Sequence, residues 1–181
     1  FIYPILSAAL MLSATVAQAA DKPKLVIYTY DAFAADWGPA PAVKKAFEPM
    51  CDCEVQFVTA DSSIGILRII QLEGASTKAD IALGLDTNLT DIAQKTGLFI
   101  EHKADISELN LPIRWTNPVF LPFDYGYFSF VYDSEKIATA PTSFDELLAM
   151  PEDFKIVIQD PRSSTPGLGL LLWVRQIYGN K

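Results

Sequence analysis

Histidine and cysteine are almost missing from this 181-residue chain: His102 stands alone, and the cysteines are Cys51 and Cys53. That leaves too little material for a four-ligand zinc site or a histidine-based nucleophile triad, and no nucleophile–base pair stands out elsewhere. Positive charge is scarce too, with 14 Lys and Arg against 22 Asp and Glu, a formal charge of −8. Proteins that grip nucleic-acid backbones display clustered Lys and Arg, so this balance argues against that class and suits a cationic partner. Internal repeats and low-complexity tracts are absent. Half the residues are apolar and a fifth are charged, which excludes a disordered tail and permits a sizeable core.

The first charged residue is Asp21. Ahead of it, residues 5–16 are apolar apart from small Ser and Thr, and Ala17-Gln18-Ala19 forms an A-x-A cleavage pattern. This predicts a secretory signal at residues 1–19, without its basic leading region, and so a protein that works outside the cytoplasm. A membrane-spanning helix would need roughly 20 apolar residues, more than this run supplies. At the other end, residues 167–177 read as a helix followed by a turn with no closing element, so a C-terminal part is expected beyond them.

Between the ends, strand and helix patterns alternate. Residues 24–30 and 54–59 are β-rich, and 79–85 form a nearly continuous apolar run that predicts a strand covered on both faces. Helices are predicted over 39–48, with Pro49 as the stop, over 63–73, ended by Gly74, and over 88–96, with Asn88 as cap and Gly97 at the end. This order predicts an α/β domain with a mainly parallel sheet. Residues 110–122 read as a loop or crossing. Beyond them, 126–132 and 154–159 read as strands, and Ser143 with Glu146 forms a capping box. The expected division is a first α/β lobe at 20–122 and, at 123–181, a crossing segment with the start of a second lobe.

Ligands of open α/β sheets bind outside the carboxyl ends of the strands. Three groups of residues fall there. The turn at 160–169 sets Ser163, Ser164 and Thr165 in tandem before Pro166, which suits a first helical position. A helix start with free N–H groups and hydroxyls holds an anion, although plain helix capping uses the same residues. Asp61, Ser62 and Ser63 follow the second predicted strand, and Asp86, Thr87 and Asn88 follow the third. The last group is aromatic and acidic: Tyr28, Tyr30, Asp31, Phe33, Asp36 and Trp37, then Trp115, Phe123, Asp124, Tyr125 and Tyr127. Such surfaces suit flat or cationic ligands, and equally a packed core. His102 lies in a polar stretch and reads as solvated. Cys51 and Cys53 precede a strand, at the edge opposite the expected cleft; a local disulfide, other pairing and free thiols all remain open.

The runs YTYDAFAADWGPAPAVKKAFE (28–48), KADIALGLDTNL (78–89), PFDYGYFSFVYD (122–133) and QDPRSSTPGLGLLLW (159–173) closely resemble the bacterial periplasmic thiamine-binding proteins, the soluble receptors of ABC-type thiamine importers. The resemblance extends over nearly all of residues 24–179. It implies a two-lobed periplasmic binding protein of the type 2 class, closing by a hinge, with its second lobe incomplete in this chain. It also implies a monomer that passes thiamine, thiamine monophosphate or thiamine pyrophosphate to an inner-membrane ABC permease, with no cofactor, no metal and no catalytic residues. Ser164 and Thr165 match the helix start that holds the ligand's phosphate side. Tyr30 and Trp37 match aromatics facing the rings, and Tyr125 lies in the matching hinge segment. Asp86 joins them as a carboxylate suited to the cationic thiazolium. Ser62 and Ser63 stand where the family pattern has Asp-Gly, so backbone contacts there would persist and a carboxylate contact would not. A receptor for another small solute, such as a polyamine or a metal–anion complex, would use the same fold. So would a thiaminase-like enzyme, which attacks thiamine with a cleft cysteine.

Overall fold

The computed structural model describes residues 21–179; the expected signal at 1–19 and its cleavage site lie outside them. Three parallel strands form the sheet, in the order β2-β1-β3. Strand β1 (Lys24–Tyr30) pairs with β2 (Glu54–Ala60) along its whole length, from Lys24 opposite Glu54 to Tyr30 opposite Ala60. On its other side, Ile27 and Tyr28 face Ile81 and Ala82 of β3 (Ile81–Ala82). Alternating side chains of a central strand meet opposite faces, and β1 separates two apolar clusters in this way. Tyr28 packs with Ala60, Ile66 and Ile70 under helix α3 (Ser63–Glu73), while Ile27 packs with Val55 and Cys53 on the other face. A third cluster, Leu67 with Leu89 and Ala93, joins α3 to helix α4 (Thr90–Lys95).

Two short crossings depart from the sequence reading for local reasons. Helix α2 (Ala40–Cys51), which follows the single turn α1 (Asp31–Ala34), runs through Pro49 instead of stopping there. A proline costs most in mid-helix, where it removes a bond and clashes with the preceding turn; here only two residues follow it. The stop is supplied instead by Asp52 in the left-handed conformation (φ 50°) and by a disulfide between Cys51 and Cys53. Helix α4 starts at Thr90, not at residue 88, and its cap position is Leu89; the backbone N–H of Asn88 donates to Asp86 Oδ1 at 2.8 Å.

Strand β3 is two residues long where seven were expected, although Asp80 N donates to Val26 O and Leu83 N to Tyr28 O, so the run follows β1 from 80 to 83. It is an edge strand with Ile81 44% exposed, not one covered on both faces. The expected strands at 126–132 and 154–159 are not strands: among the described residues they have no ladder partner, and Val131 and Val157 stand 94% and 96% exposed. Strand structure needs a neighbour to take up its backbone groups. The helices around them do form: α5 (Phe144–Leu148), capped by the Ser143 hydroxyl accepting from Glu146 N, and α6 (Thr165–Tyr178). Phe130, Phe144, Trp173 and Tyr178 pack edge to face or tilted, with ring centroids 5.1–6.4 Å apart, and tie these helices together. His102 is half-buried, not solvated: its Nδ1 accepts from Ala104 N, and its backbone N–H donates to Pro118 O.

Candidate functional site at the carboxyl edge of the sheet

The three strands deliver their C-terminal ends to one edge, and the helix that follows β2 starts there. Ser62 caps α3, its hydroxyl oxygen accepting from Gly65 N at 3.2 Å and its proton going to Asp61 Oδ1 at 2.8 Å. The next residue, Ser63, opens the helix. After β3 the chain turns at Asp86, whose Oδ1 is held by Asn88 N.

Helix α6 reaches this edge from far along the sequence. Thr165, its first residue, donates its hydroxyl to Asp86 Oδ2, and the Thr165 hydroxyl oxygen lies 3.5 Å from Ser63 Oγ. Sequence separations of 79 and 102 residues are closed by these contacts. Ser164 behaves differently. It is the cap of α6, accepting from Gly167 N at 3.2 Å and donating to Gln159 Oε1. Pro166 is the second helical residue, one place later than the sequence reading gave it.

The loop that presents Ser164 and Thr165 is folded on itself. The Asp160 carbonyl accepts from Ser163 N and Ser164 N, and its carboxylate accepts from the backbone and guanidinium of Arg162, as close as 2.6 Å. The Arg162 guanidinium beside it lowers the Asp160 pKa to about 2. Gly167 presses against this loop, and a side chain there would come within 2.5 Å of the Gln159 carbonyl.

Tyr30 ends β1 at the same edge. Its ring lies 6.0 Å from that of Phe33 and against Gly84. Burial raises the phenol's pKa, and the nearby Asp124 carboxylate raises it further. Asp124 follows Phe123, which packs on the buried Phe33 at 5.5 Å, so the crossing segment is pinned to the end of β1. Trp37 is 81% exposed, and Tyr125, also exposed, meets Tyr127 at 6.3 Å.

Of the residues expected in a site, then, Ser63, Asp86 and Thr165 meet, with Tyr30, Ser62 and Ser164 on the same edge. Trp37 and Tyr125 are not drawn into that group. Gln159 and Gly84 were missed as supports, whereas Asp124, named in the aromatic and acidic group, lies near Tyr30. A carboxamide ahead of a Ser-Ser-Thr turn and a glycine breaking an apolar run were the available signals. The disulfide decides the open question about the cysteines: among the described residues neither thiol is free. No group of three or more His, Cys, Asp or Glu among those residues is placed to hold a metal, and none of their helices is long and apolar enough to cross a membrane.

The comparisons with known proteins agree with one another. The chain is 51% identical over 159 residues to the thiamine-binding periplasmic protein of Escherichia coli (strain K12), covering 88% of this chain and 49% of that protein. It is 49% identical over 168 residues to the thiamine-binding periplasmic protein of Brucella abortus biovar 1 (strain 9-941), covering 93% and 50%. A solved structure described as a periplasmic thiamin binding protein superposes with a TM-score of 0.84 at 50% identity, over 90% of this chain and 51% of that one.

This chain is similar to thiamine-binding periplasmic proteins.

It spans about half the length of the curated relatives it matches. No protein-family model matches it. The solved thiamin binding protein shares the parallel sheet and mixed α/β content described above. The relatives are named as binding proteins and as periplasmic, and those names attribute no reaction to them.

Proposed function

We propose that this protein is a periplasmic receptor that binds thiamine between two lobes of a type 2 binding-protein fold and delivers it to an ABC-type permease of the inner membrane. The observation that carries the reading is the meeting of Thr165 at the start of α6 with Asp86 and Ser63 at the carboxyl edge of the sheet. It joins the two parts of the chain where an open α/β sheet takes its ligands. Thiamine is a flat pyrimidine joined to a cationic thiazolium. Tyr30 supplies a ring face at this edge, the exposed Trp37 and Tyr125 would add theirs as the lobes close, and Asp86 supplies a carboxylate for the cation. The start of α6, with Ser164 and Thr165, offers N–H groups to the phosphate of thiamine monophosphate or pyrophosphate. Ser62 and Ser63 border the same space. In this reading the receptor is a monomer, needs no cofactor and performs no chemistry. Closure of the lobes on the ligand is part of recognition, since a ligand favours the state it contacts better.

Equilibrium dialysis of the full-length protein against thiamine, with a polyamine as control, tests this. Saturable uptake of thiamine and none of the polyamine is expected. Uptake of the polyamine alone would replace thiamine with another solute, and release of pyrimidine or thiazole products would make the protein an enzyme.

A further inference from the structure

The stretch between α2 and β2 is held in place twice over. Val55 N donates to Glu48 Oε1 at 2.9 Å, and Lys44 Nζ donates to the Val55 carbonyl at 2.8 Å. Glu54 N donates to Pro23 O at 2.8 Å, where β2 begins to pair with β1. These bonds tie the end of α2 to the start of β2 without the Cys51–Cys53 disulfide. The disulfide adds little to them, because its cysteines are two positions apart and so short a ring removes little freedom from the unfolded chain. It also carries a cost. Asp52, inside the ring, has φ of 50°, a left-handed conformation unfavourable for a residue with a side chain.

We infer that Cys51 and Cys53 form a reversible thiol–disulfide exchange site, opened by small-molecule thiols of the glutathione class while the protein stays folded. Exposed or strained disulfides are the easily reduced ones. Cys51 is half-buried, and Lys22, Lys45, Glu48, Pro49, Cys53 and Glu54 line an open groove of about 630 Å³ that borders the ring. A thiolate attacks Cys51 Sγ and bonds to it as the Cys51–Cys53 bond breaks, and Cys53 leaves as a thiolate that takes a proton from water. A second thiolate attacks the incoming sulfur of this mixed disulfide, releasing Cys51 and one molecule of the thiol's own disulfide. Two small thiols are oxidised and one protein disulfide is reduced. The Cys51 thiol so formed has an acceptor at hand, the Glu48 carbonyl 3.7 Å from Sγ. The bonds to Val55 keep the two sulfurs close, so the oxidised form of the small thiol recloses the ring. The inference stands whether or not thiamine is the ligand.

The test is incubation of the full-length protein with excess reduced glutathione at neutral pH without denaturant. Acid quenching, alkylation and mass spectrometry of the peptide carrying both cysteines then report their state, with circular dichroism following the fold. The expected result is loss of the disulfide in more than half of the chains, an intermediate bearing one glutathione, an unchanged spectrum, and reclosure on adding oxidised glutathione. A disulfide that persists in the folded protein, and opens only once denaturant unfolds it, overturns the inference. The variant Cys51→Ser with Cys53→Ser supplies a second readout. It is expected to fold with the parent's spectrum, and its failure to fold would make the disulfide a structural staple and overturn the inference too.

Discussion

Gly84 holds the ring of Tyr30 in place by having no side chain. A methyl group at residue 84 would come within 2.5 Å of Tyr30 Cδ1, and the backbone there has φ of +106°, a conformation that glycine adopts freely and alanine does not. Gly84→Ala is therefore expected to cost about 1–3 kcal/mol, through backbone strain and a displaced aromatic ring. Because Tyr30 belongs to the proposed site, thiamine binding is expected to weaken as well. Thermal melts and a thiamine titration check both; a variant with unchanged stability and affinity would show that Tyr30 is not held by this contact.

Tyr28 carries a second, independent prediction on the buried side of the sheet. Its hydroxyl donates to the Glu73 carboxylate at 3.0 Å, which Thr77 also meets at 2.8 Å. Burial, and then the bond to Glu73, raise the phenol's pKa in the folded state. A phenol whose pKa is raised by folding stabilises the protein below its unfolded pKa of about 10, and that stability is lost as the pH rises further. Tyr28→Phe is expected to lose about 1–3 kcal/mol at neutral pH, the worth of a bond to a charged group. The gap between the two proteins should narrow in denaturant titrations above pH 10. A constant gap at all pH values would contradict the assignment.

The Cys51–Cys53 disulfide closes a very short loop behind α2, at the edge of the sheet away from Thr165 and Asp86. Loop-closure entropy for so few residues is small, about 1–2 kcal/mol. Replacing both cysteines by serine is expected to lower stability by that amount and leave thiamine affinity unchanged. A large loss of affinity in a folded variant would mean that the two edges of the sheet are coupled.

How legible this was in the sequence depended on the range of the forces involved. Residues 24–30 and 63–73 could be read to the residue, because a β-rich run and a helix bounded by Ser62 and Gly74 are local signals. The alternation of strands and helices gave the parallel sheet, and the rule that ligands meet the carboxyl edge gave Tyr30, Ser63, Asp86 and Thr165 their common place. Residues 126–132 were misread because their alternation promises a strand, yet a strand also requires a partner that no local pattern encodes. Pro49 was misread as a stop because its position relative to the end of the helix is set by Asp52 and the disulfide. Gln159 was missed because its contact with Ser164 depends on how the loop folds back, and the meeting of Thr165 with Asp86 is a tertiary fact across 79 residues.

The loop before α6 has its own pH signature. Arg162 lowers the Asp160 pKa to about 2, so the pair stabilises the fold above the unfolded carboxylate value of about 3.9, and this contribution disappears as the pH falls toward 2. Arg162→Gln is expected to be less stable than the parent at pH 6, with the difference shrinking below pH 4. Denaturant midpoints across pH 6 to 2 check this, and a difference that persists at pH 2 would mean that Arg162 acts by some route other than Asp160.

The proposed thiamine site lies where Thr165 meets Asp86 and Ser63. A tryptophan-fluorescence titration of the full-length protein with thiamine, beside Thr165→Val and Trp37→Ala, decides whether it does. Saturable binding in the sub-micromolar range, about −8 kcal/mol or better, is expected, weakened in both folded variants. No binding of thiamine or its phosphates by the folded parent would rule out a thiamine receptor, and undiminished binding by Thr165→Val would place the site elsewhere.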